Sequence, residues 1–313
     1  MKAQPLSASD GAASHHTCLL PGGYLDQNDE LHREAELVCL SGRHEESLAS
    51  RPESVPAAVL VTQILSQCVK RIGSVCPVTD DVARRLLVAD RQYLLLKLRE
   101  VTFGDRVEGT LGCPWPTCGA KVDIDFSIAD LPVKRCEQVA PTYQVELTPE
   151  ASPVDADGAT HRTITFRLPN GADQESLAPG VADDPARTLT RLLERCIVGT
   201  ETGCDEGSDL VDRLTARARR EIEGAMEATA PRLELEMDLA CPECGRAFTA
   251  PFELQDFFFG ELNTTQDMLY RQVHYLAYHY HWSESEILAM PRDKRLAYIG
   301  VLADEIEALN SAV

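Results

Sequence analysis

Four cysteines in two close pairs are the residues whose types and spacing best suit a chemical task. Cys113 and Cys118 stand in Glu108-Gly-Thr-Leu-Gly-Cys-Pro-Trp-Pro-Thr-Cys-Gly-Ala-Lys-Val122, and Cys241 and Cys244 in Glu236-Met-Asp-Leu-Ala-Cys-Pro-Glu-Cys-Gly-Arg-Ala-Phe248. Each string reads as a strand, a cysteine pair with proline inside and glycine after it, and a second strand. A turn of that kind aims backbone amides at the sulfurs and stabilises thiolate charge. Two such knuckles supply four thiolates, the tetrahedral set of a closed structural zinc site with no position left for water or substrate. A redox pair would instead open a helix, whereas Cys241-Pro-Glu-Cys244 lies between strands. The expected cofactor is structural Zn2+, with Cys113, Cys118, Cys241 and Cys244 as ligands and no catalytic residue.

The elements that must bring the pairs together are separated in the chain. Ribbons usually space their two pairs by about 15–20 residues, but here the second pair begins at Cys241, far beyond Cys118, and the first pair has a longer spacer than usual. An insertion between two halves of one ribbon resolves this. Alternation predicts a hairpin from 18–24 and 32–38 around the polar turn 27–30, then a short helix at 43–49. Apolar residues recur at helical spacing through 57–72. A second helical stretch, N-capped by Thr79, runs to about 103, with Asp90 marking a bend. Strands are predicted at 107–113 and 121–126, a linker at 131–141, strands at 143–147 and 163–168, and helices at 185–198 and 209–228. Strict alternation over 233–239 leads into the second pair, with a strand at 248–252 and a short aromatic helix at 254–260 after it. The remainder reads as helices at 264–280, 283–290 and 292–309, with Ser283 and Glu286 at capping-box spacing. The predicted class is α+β: a zinc-ribbon-like β core split by a large α/β insertion, with a helical N-terminal segment and an all-helical C-terminal tail. The divisions are a disordered tail at 1–16, a hairpin and helices at 17–104, a discontinuous ribbon at 105–130 plus 232–262, the insertion at 131–231 and the helical region at 263–313.

Composition narrows the function. With hydrophobic residues at 44% a core can form, and a net charge of −20 with a pI near 4.8 disfavours a phosphate backbone as partner. No apolar run reaches the roughly 20 residues of a membrane span, and residues 1–16 do not read as a secretory signal, so the expected location is cytoplasmic. The isolated Cys18, Cys39, Cys68, Cys76, Cys136, Cys196 and Cys204 read as small core hydrophobes. His274 and His279 are five apart, a poor match to a helical metal pair. No phosphate-binding glycine loop, nucleophile elbow or dinucleotide fingerprint is present, so no enzyme is expected. Phe257, Phe258 and Phe259, with Tyr270 and Tyr278, are the candidate partner-binding residues, because aromatics dominate interfaces.

The stretch Leu87-Val-Ala-Asp-Arg-Gln-Tyr-Leu-Leu-Leu-Lys-Leu-Arg-Glu-Val-Thr-Phe-Gly-Asp105, followed by Cys113-Pro-Trp-Pro-Thr-Cys118 and Val122-Asp-Ile-Asp-Phe126, resembles the baseplate hub assembly proteins of T-even-like contractile phages and their relatives in phage-tail-like contractile injection systems. His32-Arg-Glu-Ala-Glu-Leu37, Leu40-Ser-Gly-Arg43, and Trp282-Ser283, Ile287-Leu288 and Met290-Pro291 near the end are also similar. The resemblance implies an assembly or structural factor that contacts baseplate, hub or tube proteins of a contractile tail. The alternatives are a zinc-ribbon regulatory or nucleic-acid-binding module, opposed by the acidity, and a metal-dependent hydrolase, opposed by the closed ligand set.

Overall fold

A long hairpin starts the described chain. In the computed structural model, which describes residues 15–52, 54–153, 161–178, 184–200, 207–262 and 265–311, β1 (His15–Leu25) pairs antiparallel with β2 (Leu31–Val38), and β3 (Val69–Ile72) adds to the other side of β2. Of the tail expected at 1–16, residues 1–14 lie outside the described residues, as does Cys204, and His15 and His16 are corrected to the start of β1, where they pair with Val38 and Leu37. Helices α1 (Gly42–Ala49), α2 (Ala57–Cys68), α3 (Asp80–Arg85) and α4 (Val88–Phe103) follow. Two expectations for these helices need correction. Helix was predicted through 72, but it stops at Cys68, and Val69–Ile72 becomes a strand because β2 offers an unpaired edge. The bend predicted at Asp90 falls instead at Leu86 and Leu87. There the backbone turns extended and pairs with the segment at 169–171: Gly171 N–H donates to the Leu86 carbonyl at 3.1 Å and Val88 N–H to the Pro169 carbonyl at 3.2 Å. Thr79 does cap α3, its hydroxyl accepting from the Val82 amide.

Next come β4 (Arg106–Gly112) and β5 (Lys121–Ser127), an antiparallel hairpin. The region expected to be a linker holds β6 (Val133–Lys134), which pairs with β10 (Arg232–Leu233), so the chain leaves and returns to this point side by side. Between them lie β7 (Tyr143–Glu146), β8 (Thr163–Phe166), α5 (Gly171–Leu177), α6 (Pro185–Cys196), β9 (Ile197–Thr200), α7 (Gly207–Arg213) and α8 (Ala216–Thr229). Strands β7, β8 and β9 form one antiparallel sheet. The helix predicted over 185–198 ends at Cys196, its last residues taken up by β9. The one predicted over 209–228 is broken at Thr215, whose hydroxyl caps α8. Then β11 (Glu236–Ala240) and β12 (Ala247–Pro251) make a second hairpin, followed by α9 (Leu254–Leu262), α10 (Gln266–Tyr280), α11 (Glu284–Ala289) and α12 (Arg292–Ser311).

Helices and several small sheets are thus mixed, with helices closing the chain. Apolar side chains gather in three main groups. The largest joins the first hairpin, α2, α3 and α4 to Val107, Leu233, Phe252 and α9. A second fills the β7–β9 sheet, α6, α7 and α8, and a third lies among α10, α11 and α12.

Candidate metal centre

Two hairpins that face each other build the centre from the bottom up. At their base, Phe126 of β5 meets Phe252 edge to face with ring centroids 5.3 Å apart, and Phe252 and Val107 continue into the main core. Higher up, Val122 and Phe248 pack in a small cluster with Cys113, Cys118 and Cys241. The strands end in tight knuckles. Cys113 N–H donates to the Ala120 carbonyl (2.8 Å) and Cys118 N–H to the Trp115 carbonyl (2.9 Å); Cys241 N–H donates to Arg246 (3.0 Å) and Gly245 N–H to Cys241 (2.9 Å). Gly119 and Gly245 close these turns at φ +62° and +68°, a conformation that a Cβ would strain. Across the top, the Arg246 guanidinium of one knuckle lies over the Trp115 ring of the other, 5.4 Å from its centroid.

All four sulfurs lie within 4.8 Å of one another. The Cys113–Cys244 and Cys118–Cys241 Sγ separations are 3.9 and 3.7 Å. A disulfide needs about 2.0 Å, whereas a tetrahedron with metal–sulfur bonds of about 2.3 Å has edges near ~3.8 Å. The spacing therefore fits a tetrahedral ion and not two bonded pairs. Cys113 and Cys241 are buried, Cys118 is half-buried and Cys244 exposed. The amide of Cys244, helped by that of Glu243, holds the Cys241 thiol down at about 7. At Cys118 the Ala120 amide also favours the thiolate, but burial and the surrounding sulfurs outweigh it and push the thiol up to about 12. Burial is the largest influence on Cys113 and raises it. Four soft sulfur donors at tetrahedral spacing, with backbone amides aimed at them, are compatible with Zn2+.

The other expected site residues separate. Phe258 is wholly buried in the main core, edge to face with Phe103 and Phe259. Phe257 packs on Phe252 beneath the Arg99 guanidinium, and Phe259 also lies against the core. The expectation that Phe257, Phe258 and Phe259 form a docking surface is therefore corrected for Phe258, the only ring of the three with no exposed face. Spacing along α9 turns it inward beside Leu254 and Leu262. Tyr270 and Tyr278, on α10, are 42% and 69% exposed, free to touch a partner, although the Tyr270 hydroxyl donates to Glu46 at 3.2 Å. His274, His279 and His281 form no ligand group among the described residues. A cluster that sequence reading missed, Asp26, Glu30 and His32, sits at the first hairpin turn. Asp26 there accepts from the amides of Asn28 (2.8 Å) and Glu30 (2.9 Å), which accounts for it as turn structure.

The family model described as T4 bacteriophage base plate protein matches residues 42–259, well over half of the chain, and the chain belongs to that family. The match takes in both knuckles and everything between them; β1, β2 and α10 to α12 lie outside it. No curated protein and no solved structure matches. No helix among the described residues is long and apolar enough to cross a membrane.

Proposed function

We propose that this chain is a non-enzymatic assembly or structural factor for the baseplate or hub of a contractile phage-tail-like injection system, stiffened by one structural zinc. Membership of the base plate family carries the assembly role. The four-sulfur group supports the zinc, held by Cys113, Cys118, Cys241 and Cys244 in a split ribbon whose halves lie on either side of 131–231. Held there, the ion would lock the two hairpins tip to tip and fix how α9 leaves the ribbon. Its partners are baseplate, hub or tube proteins, met in the cytoplasm during assembly, with Tyr270 and Tyr278 among the contacts. Metal analysis after dialysis tests the zinc: one Zn2+ per chain is expected, and a folded protein that holds none, or holds iron, overturns it. Coexpression with the sheath, tube and baseplate proteins of the same particle tests the role. A stable complex is expected, and a gel shift with DNA at low salt in its place would favour a nucleic-acid module.

A further inference from the structure

A groove of about 560 Å³ opens where α2, α5 and α6 meet, and its walls are mostly apolar: Pro56, Ala58, Val88, Leu177 and Leu192. Thr188 and Leu192 line it from α6. On the adjoining face of that helix, Arg187, Arg191 and Arg195 follow at i, i+4 and i+8, a row of guanidinium groups about 12 Å long. Arg187 and Arg191 are exposed and make no ion pair among the described residues. Arg195 reaches Asp173 on the groove wall (Nε to Oδ1 2.7 Å), but that buried carboxylate already binds both terminal nitrogens of Arg167 (2.6 and 2.9 Å). Two cations therefore share one anion at the groove's edge.

An ordinary amphipathic helix also shows a charged outer face, and an arginine row alone would mean no more than solvation. Here it borders an open apolar groove, on a chain whose net charge is −20. Arginine pairs carboxylates in a directional fork, and a local cationic strip on an acidic protein selects an anionic partner. The apolar walls require that partner to carry hydrophobic anchors as well, which a nucleic acid backbone lacks. We infer that the α2–α5–α6 groove docks an acidic amphipathic segment of a partner protein, its apolar side chains in the groove and its Asp or Glu residues along Arg187, Arg191 and Arg195. This identifies a kind of partner for the assembly role and rests on that reading only in expecting protein partners; the peptide test below is independent of zinc content and of co-purification.

The test uses the full chain and a labelled synthetic amphipathic helix, with leucines on one face and glutamates beside them, followed by fluorescence anisotropy. The comparisons are the same composition scrambled so that the leucines share no face, and a short DNA duplex. Only the amphipathic peptide is expected to bind, less tightly as salt rises. Arg187→Glu with Arg191→Glu should weaken it by about tenfold or more, and Ala57→Trp, which fills the groove, should do the same, with melting temperature unchanged in the charge variant. The inference is overturned by equal binding of the scrambled peptide or the duplex, by unchanged affinity in both variants, by no binding of the amphipathic peptide, or by a concentration-dependent dimer that excludes it.

Discussion

Asp90 and Arg91 are neighbours in the chain, both buried, and neither bonds the other. Asp90 faces β1, where it accepts from the amides of Gly22 (2.7 Å) and Gly23 (3.0 Å) and holds the bulge between Leu19 and Tyr24. Arg91 faces the other way and donates to the Ala58 and Ala83 carbonyls (2.7 and 2.8 Å), to Thr62 (2.9 Å) and to Gln174 (3.0 Å). That ties α2, α3 and α5 to α4. A Cβ on Gly171 would stand 2.3 Å from the Arg91 guanidinium, so glycine is required there by close approach. Burial is the main influence on Asp90 and raises its pKa from 3.8 to about 7, against the pull of the two glycine amides. A raised carboxyl keeps its proton longer in the folded state than in the unfolded one. Between 3.8 and about 7 the folded protein therefore binds more protons, and the stability that Asp90 contributes falls as pH rises through that window. Asp90→Asn turns an amide donor toward a glycine N–H and should cost about 1–3 kcal/mol. Urea melts across the window should also show a flatter pH profile for the variant. A variant profile parallel to the wild type would mean that Asp90 ionises normally.

At the scale of elements, the two cysteine-bearing hairpins were legible because strict alternation and the Cys-Pro…Cys-Gly turns are local signals. The single-helix reading of 79–103 failed at Leu86–Leu87 because the break comes from segment 169–171, a partner more than eighty positions away that no local pattern announces. Strands β3 and β6 were missed for the same reason: Val69–Ile72 and Val133–Lys134 are too short to show a period, and each is a strand only because a distant edge receives it. Phe258 was misplaced because a run of aromatics says nothing about which ring turns inward. The four sulfurs also meet across a distance the chain alone does not show, but there the donor chemistry of each pair pointed to the other. If an ion closes this site, losing one sulfur unties both hairpins at once. Cys244→Ser is expected to cost several kcal/mol, because site and fold are coupled, whereas Cys76→Ser, at an exposed thiol away from the group, should stay within about 0.5 kcal/mol of wild type. Matching melts for the two variants would remove Cys244 from the ligand set. A strong chelator should reproduce the Cys244→Ser melt in the wild-type protein and leave the variant's own melt unmoved.

Across the whole molecule, the last three helices lie beyond the family match yet are fastened to α1, the first element within it. Backbone pairing begins the attachment: Arg292 N–H donates to the Leu40 carbonyl at 2.9 Å, Gly42 N–H to Met290 at 3.3 Å, and Ser41 bridges Pro291. Its centre is Glu45, wholly buried, whose two carboxylate oxygens receive the guanidinium groups of Arg292 and Arg295. Arg295 is itself fully buried; its Nε donates to Gln272 of α10 at 3.0 Å, while its Nη1 has no hydrogen-bond partner among the described residues and lies where a Cβ on Gly42 would come within 2.7 Å. The buried Arg295 guanidinium thus keeps its counter-charge only as long as Glu45 is present. Glu45→Ala strands Arg295 in the interior without an anion and should destabilise the attachment by about 3–5 kcal/mol. Glu45→Leu combined with Arg295→Met removes the stranded charge and keeps the volume, and Arg292, 16% exposed, can turn to water. The double variant should therefore recover much of the loss, so that the two single costs do not add. Amide hydrogen exchange locates the effect: Glu45→Ala should speed exchange in α10, α11 and α12 and leave β4, β5, β11 and β12 unchanged. Faster exchange in the hairpins as well would mean that these helices and the cysteine hairpins unfold as one unit, and unchanged exchange everywhere would show that the buried carboxylate does not fasten the C-terminal helices.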